Sequence, residues 1–157
     1  MNSEHLAKLY VAQGKYAQAE AFYKQALAIW DKTIDPNHPD VVIMLNRFAD
    51  MYRVQGKYAQ AEPLYKRALA IREKSFGSDH PRVAESISNL ARLYYAQNWY
   101  VQAEPLYKRA LAINEKSLDP NHPDVVTSLE ELAALYRKTG QTVALKELER
   151  RLESYGQ

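Results

Sequence analysis

Between residues 58 and 76 the apolar positions are Ala61, Leu64, Tyr65, Ala68, Leu69 and Ile71. This spacing places them along one helix face rather than alternating as in a strand. The same face returns at Ala19, Tyr23 and Ala26, and at Ala103, Tyr107 and Ala110. A preceding helix is marked by a second recurring set: Ala7, Ala49, Ala91 and Ala133; Leu9, Met51, Leu93 and Leu135; and Tyr10, Tyr52, Tyr94 and Tyr136. The pattern predicts two helices per unit. The first runs from Pro39, Pro81 or Pro123 to just before Gly56, Asn98 or Gly140. The second runs from near Tyr16, Tyr58 or Tyr100 to near Ile34, Phe76 or Leu118. Proline suits a helix's first turn, where its missing N–H is not needed. Asp40 and Asp124 favour the positive helix start. Gly14, Gly56 and Gly140, with Asn98 in the same place, suit a left-handed turn. Pro63 and Pro105 fall inside the second helix, each at the loss of one backbone hydrogen bond.

The units are copies of one another. QGKYAQAE stands at 13–20 and 55–62, with QNWYVQAE at 97–104. AEPLYKRALAI stands at 61–71 and 103–113, and DPNHPDVV at 35–42 and 119–126. Each offset is 42 residues or a multiple of it (13 to 55 to 97). A helix pair cannot bury both its faces alone, but stacked pairs can. The expected fold is therefore all-α: an α-solenoid of about four stacked helix-turn-helix repeats with eight helices. It is read as one domain over 1–157, with repeat 1 at 1–38, repeat 2 at 39–80, repeat 3 at 81–122, and repeat 4 plus a capping helix at 123–157. Small Ala19, Ala61 and Ala103 sit where helices approach. Tyr23, Tyr65 and Tyr107 fill the space between layers.

Composition narrows the chemistry. With 157 residues, 46% hydrophobic and 25% charged, the chain can bury a sizeable core. A net charge of +2 gives no electrostatic footprint for nucleic acid. There is no cysteine, which excludes disulfides, thiolate metal sites and a cysteine nucleophile. That absence also fits a reducing compartment, and a cytoplasmic location is expected. No apolar stretch reaches membrane-spanning length, so no membrane partner is expected.

The spacing of Phe48-Ala49, Tyr52, Gly56, Ala61, Tyr65 and Ala68 resembles the signature of the tetratricopeptide repeat (TPR). The usual first-helix tryptophan is replaced by Leu45, Ile87 and Leu129. The long period and the DPNHPDV and AEPLYKRALAI phrases look like the 42-residue subclass of kinesin light chain. This resemblance implies a right-handed superhelix whose concave face, lined by the first helices, binds extended peptides or helices.

Comparison of the repeats suggests where binding residues lie. Positions that repeat serve stacking, and positions that vary are read as exposed. The variable first-helix sets are Glu4/Asn46/Ser88/Glu130, His5/Arg47/Asn89/Glu131, Lys8/Asp50/Arg92/Ala134 and Val11/Arg53/Tyr95/Arg137. Candidate groove residues are Asn46, Arg47, Asp50, Arg53, Ser88, Asn89, Arg92, Tyr95 and Glu131. Arg47, Arg53, Arg92 and Asn89 would contact an acidic segment or C-terminal carboxylate, which arginine can grip with two parallel bonds. Tyr95 would offer a stacking surface. Asn89 stands where peptide-binding TPRs often carry an asparagine, but Arg47 and Glu131 depart from that choice. The plain alternative is solvated helix residues paired with Asp50 and Glu85. Glu130 and Glu131 also allow a partner of mixed charge.

Other signals are structural on this reading. His38, His80 and His122 recur once per unit, but stacked units place equivalents about 10 Å apart. Zinc requires ligands within about 2.1 Å of one ion, so no metal site is expected. A role at the helix start beside the proline is expected instead. No cofactor motif and no catalytic constellation is present, so the chain is read as a non-enzyme. Trp99 falls in an inter-helix turn, as a contact point or packed on a neighbour. Residues 142–157 read as an amphipathic capping helix. The start partway into a first helix suggests a chain cut from a longer repeat protein, which is favoured, or an open N-terminal association face. The leading function is a protein- or peptide-binding scaffold using the groove. The alternative is head-to-tail self-association through the N-terminal face.

Overall fold

The computed structural model describes residues 3–33 and 35–155. Among them are eight helices and no strand: α1 (Ser3–Ala12), α2 (Tyr16–Thr33), α3 (Val41–Val54), α4 (Tyr58–Phe76), α5 (Pro81–Ala96), α6 (Tyr100–Ser117), α7 (Pro123–Thr139) and α8 (Thr142–Tyr155). The expected end of α2 at Ile34 lies outside the described residues. The chain divides into two compact units, Met1–Ser75 and Phe76–Gln157. No helix of the described residues is long and apolar enough to cross a membrane.

Each first helix ends in the same backbone device. Gly14, Gly56 and Gly140 have φ near +70° (71°, 75° and 72°), and Asn98 takes the same left-handed conformation at φ 62°. The next N–H then turns back to a tyrosine carbonyl: Lys15 to Tyr10 at 2.8 Å, Lys57 to Tyr52 at 2.9 Å, Trp99 to Tyr94 at 2.9 Å and Gln141 to Tyr136 at 3.0 Å. These bonds satisfy carbonyls that the helix end would otherwise orphan. Helices α4 and α6 continue through Pro63 and Pro105.

The helix starts explain the histidines. Nδ1 of His38, His80 and His122 accepts the N–H two residues on, from Asp40 at 3.1 Å, Arg82 at 3.0 Å and Asp124 at 3.0 Å. The imidazoles of His80 and His122 thus do the work of an N-capping oxygen, while His38 makes the same bond in the turn before α3. Helices α5 and α7 begin at the expected prolines, but α3 begins at Val41, two residues after Pro39. There Val41 and Val42 bond three residues back, to His38 and Pro39. Pro39-Asp40 is a tight turn feeding the helix, not its first turn.

The first unit buries Ala7, Ala19, Tyr23, Leu45, Phe48, Ala49 and Met51. Phe48 stacks between Tyr23 and Tyr52, with ring centroids 5.2 and 4.8 Å away. The second unit packs Ala91, Ala103, Tyr107, Leu129, Leu132, Ala133, Leu135 and Leu148 into one cluster. Leu148, with half-buried Leu145, Leu152 and Tyr155, fixes α8 on that cluster as the expected amphipathic helix.

A lock between second helices also recurs. Arg67 donates to Asp31 at 2.8 Å and to the Pro36 carbonyl at 2.7 Å. Forty-two residues on, Arg109 donates to the Ser78 carbonyl at 3.4 Å. At the next step Arg151 of α8 pairs with Glu115. The capping helix diverges in sequence yet keeps this one contact of the repeat.

Candidate binding hollows on the first helices

In the first unit, α1, α2 and α3 enclose a hollow of about 220 Å³. Val11, Tyr16, Tyr23, Met51 and Val54 make its apolar walls, and Lys8, Arg47 and Asp50 its charged rim. Arg47 is engaged by Glu4, with Nη1 to Oε1 at 3.3 Å. Arg53 reaches Asp50 at 3.8 Å and donates through Nε to the Tyr65 hydroxyl at 3.3 Å. Tyr65 in turn donates to Asp50. Burial first, and then this bond to Asp50, push the Tyr65 phenol well above its ordinary value, so it stays a donor.

In the second unit, α5, α6 and α7 enclose a polar cavity of about 140 Å³. Three carboxylates line it, Glu85, Asp124 and Glu131, against one guanidinium, Arg92. Arg92 grips both oxygens of Glu131, with Nη2 to Oε1 at 2.9 Å, and its Nη1 donates to Asn89 Oδ1 at 3.0 Å. Glu85 lies 3.8 Å from Arg82, and Asp124 lies 3.9 Å from His122. Deeper in, Asn114 Nδ2 donates to Ser128 Oγ at 3.0 Å, and both side chains are buried.

The nine sequence-derived candidates separate on this geometry. Arg47 and Asp50 border the first hollow, and Ser88, Arg92 and Glu131 the second. Asn89 is tied to Arg92, and Arg53 to Asp50 and Tyr65. Tyr95 packs edge-on against Tyr100 and Tyr107, with centroids 5.4 and 6.4 Å away. The rule that variable positions are exposed fails at two of them. Asn46 is 8% exposed and Ser88 is 6% exposed. Asn46 Oδ1 is sealed from solvent and has no hydrogen-bond partner among the described residues. At this position Glu130 is exposed while Asn46 and Ser88 are buried, so variation alone does not mark a surface position. Trp99 is partly exposed and stacks on Tyr94 at 5.8 Å.

Sequence comparison missed Asn114 and Ser128, because the variable positions compared were only those of Glu4, His5, Lys8 and Val11 and their equivalents. Its signal was present: the equivalents of Asn114 are Trp30 and Arg72, so that position does not repeat. The Arg67 lock could have been found as an acid and an arginine 36 residues apart, at 31 and 67 and again at 115 and 151.

The tetratricopeptide repeat family profile matches residues 1–53, 40–116 and 100–156. A protein of Podosopora anserina described as a kinesin light chain with nearly identical TPR-like repeats superposes with TM-score 0.84 at 30% identity. It aligns with 98% of this chain, over 73% of its own. BtubC (BKLC) from P. vanneervenii gives TM-score 0.86 at 28% identity, with 98% of this chain aligned but only 61% of its own length. At 21% identity, the Rap protein solved with competence and sporulation factor shares the fold, with TM-score 0.78 over 98% of this chain and 42% of its own. No curated protein sequence matches. The repeated phrases, the recurring turns and this coverage agree: the chain belongs to the tetratricopeptide repeat family and resembles its kinesin light chain-like members.

Proposed function

We propose that the chain is a scaffold whose first helices, α1, α3, α5 and α7, hold a segment of another protein, the four repeats acting as one solenoid domain. One observation carries this reading: each unit has a hollow opening among first-helix positions that fail to repeat. Positions free of stacking duty are those a fold of this kind can spend on a partner. The first hollow suits an apolar side chain flanked by acid or by a C-terminal carboxylate, because Lys8 and Arg47 outnumber Asp50 at its rim. Arg47, Arg53 and Arg92 have internal partners that an acidic ligand would have to displace, so they are weaker contacts than Lys8. Asn46 is too deep to serve as one.

The test is an array of acidic C-terminal peptides probed with the wild-type chain and with Lys8→Glu/Val54→Asp. Both positions are exposed, so helicity should persist while binding is lost. Undiminished binding sinks the assignment. Arg92→Glu is a poorer probe, because it would set two carboxylates face to face at Glu131.

A second reading, self-association, rests on a different observation. Leu9 is 47% exposed and Ile29 49% exposed, whereas their repeat equivalents Met51, Leu93, Leu135, Ile71 and Ile113 are all buried. Light scattering over a concentration series decides it: a strict monomer throughout rules it out.

A further inference from the structure

We infer that Tyr23 of α2 is the polar anchor of the first hollow: its hydroxyl, with Lys8 beside it, receives the C-terminal carboxylate of the bound polypeptide. The inference rests on the scaffold reading and adds to it a specificity-determining residue from a second helix.

A comparison of two repeats is the first ground. Tyr65 stands 42 residues after Tyr23, and its hydroxyl is engaged on both sides. It donates to Asp50 and accepts from Arg53 Nε at 3.3 Å. In the first repeat the positions of Asp50 and Arg53 hold Lys8 and Val11. The acceptor has become a cation, and the donor has become an alkyl group. At the position of Val11 the later repeats carry Arg53, Tyr95 and Arg137, all much longer side chains. The same two replacements that leave room for the hollow therefore also take away the partners of the Tyr23 hydroxyl.

The second ground is the state of that hydroxyl. Tyr23 is 2% exposed and lines the hollow. Its hydroxyl makes no hydrogen bond among the described residues. Nor is it sealed, since among the described residues the sealed side-chain atom without a partner is Asn46 Oδ1. The hollow that Tyr23 lines is the space open to it. A buried polar group without a partner is costly, and a ligand atom placed against it offsets that cost. Burial, ahead of the neighbouring charges, pushes the phenol up, so it stays a donor.

The other polar groups of the hollow then select the ligand. Arg47 is held by Glu4, and Asp50 by Tyr65 and Arg53. Lys8 has no partner among the described residues. The two unspent groups are thus an ammonium and a phenol, both donors. The ammonium repels a cation, and the pair suits an anionic oxygen. The walls beside them, Val11, Met51 and Val54, are apolar. An occupant must therefore carry an apolar side chain and a carboxylate close together. A C-terminal residue bears both on one α-carbon. In an extended segment neighbouring side chains point to opposite faces, so an acidic residue next to an apolar one would miss the hollow.

The experiment uses the full chain with isotope-labelled methyl groups and three acetylated tetrapeptides. The first is alanine ending in leucine with a free carboxylate, the second is its amide, and the third is the amide with glutamate before the leucine. Saturable shifts at the Val11, Met51 and Val54 methyls are expected for the first. The plain amide should bind about tenfold more weakly, the size of one charge-assisted hydrogen bond. Tyr23→Phe keeps the ring that stacks on Phe48 and removes only the hydroxyl. It should weaken the free-carboxylate peptide about tenfold and leave the plain amide unchanged. A tyrosine that only walls the hollow would change both peptides alike. That result, or no change in either, overturns the inference and leaves the scaffold reading standing. Lys8→Asp/Val11→Arg rebuilds around Tyr23 the partners that Tyr65 has, and should abolish binding of the first peptide; retained binding overturns the inference. The glutamate peptide binding as tightly as the first overturns the C-terminal source. Silence from all three peptides along α1 and α3 would sink both the inference and the first hollow as a binding site.

Discussion

The two hollows occupy comparable places in consecutive pairs of repeats, yet their chemistry is opposite. The first is apolar with a basic rim, and the second is polar with an acidic lining. The difference comes from few positions. Where the first unit carries Trp30 and Met44, the second carries Asn114 and Ser128, each two repeats further on. Where α1 offers Lys8 to α3, which carries Arg47, α5 offers Arg92 to Glu131 of α7. The first juxtaposition leaves like charges at one rim, and the second closes into a bidentate ion pair. A repeat fold fixes where such positions fall and leaves their character free.

The largest effect that sharpens this comparison is in the apolar layer. Ile29 and Ile113 hold the same register, but Ile113 is 3% exposed and Ile29 49% exposed. Ile113→Ala should cost about 3 kcal/mol by loss of burial and an unfilled cavity. Ile29→Ala should cost less than about 1 kcal/mol, since half its surface already meets water. Urea unfolding of both variants checks this. Equal costs would show that the Ile29 face is covered in solution, which would favour self-association.

Next comes the buried polar pair of the second unit. Asn114→Ala leaves the Ser128 hydroxyl without its donor and should cost about 1.5 kcal/mol. Asn114→Ala/Ser128→Ala should cost less than the sum of the single variants, because the second change removes the orphan left by the first. Additive costs in a denaturation cycle would mean that the two groups do not depend on each other.

How much of this was legible in the sequence follows from what each feature demands. The turns were legible because a left-handed residue must be Gly or a residue such as Asn, and Gly14, Gly56, Asn98 and Gly140 declare it. The histidine caps were legible as a helix-start role, since they recur beside proline. The start of α3 was not, because Pro39 reads identically to Pro81 while the local bonding differs. The site was only half legible. Variation pointed to the right helices, but it cannot tell a variable exposed position from a variable buried one, as Asn46 and Ser88 show. Nor can it choose partners. Arg92 takes Glu131, 39 residues away, and that choice depends on the register of α5 against α7.

That pairing yields a smaller test. Arg92→Ala removes a bidentate pair and should cost about 1 kcal/mol, discounted because the guanidinium is 41% exposed. Arg47→Ala removes one contact at 3.3 Å and should cost about 0.3 kcal/mol. Thermal or urea unfolding resolves the ratio. A larger effect at Arg47 would mean that the rim of the first hollow, not the ion pair of the second, is the more tightly built.

The smallest effect separates the units by pH. In the first unit the Tyr52 hydroxyl donates to Glu20 at 2.7 Å, and this bond, then Lys24, holds the Glu20 carboxyl below its ordinary 4.5. In the second unit the equivalent tyrosine, Tyr136, instead acts on Lys108, holding that ammonium above its ordinary value together with Glu104. A carboxyl with a lowered folded value binds fewer protons folded than unfolded. Its contribution is therefore complete above the ordinary value and is lost as pH falls through the lowered one. Tyr52→Phe should raise the Glu20 value toward 4.5 and cost about 0.5 kcal/mol near neutral pH. The gap in stability between wild type and Tyr52→Phe should then narrow as pH falls from neutral through the lowered Glu20 value, where Glu20 protonates in both. Carboxyl NMR titration gives the shift and urea unfolding across that pH range gives the gap. A gap that stays constant would mean that Tyr52 supports the first unit through its ring alone, by stacking on Phe48, as a tyrosine without a carboxylate partner would.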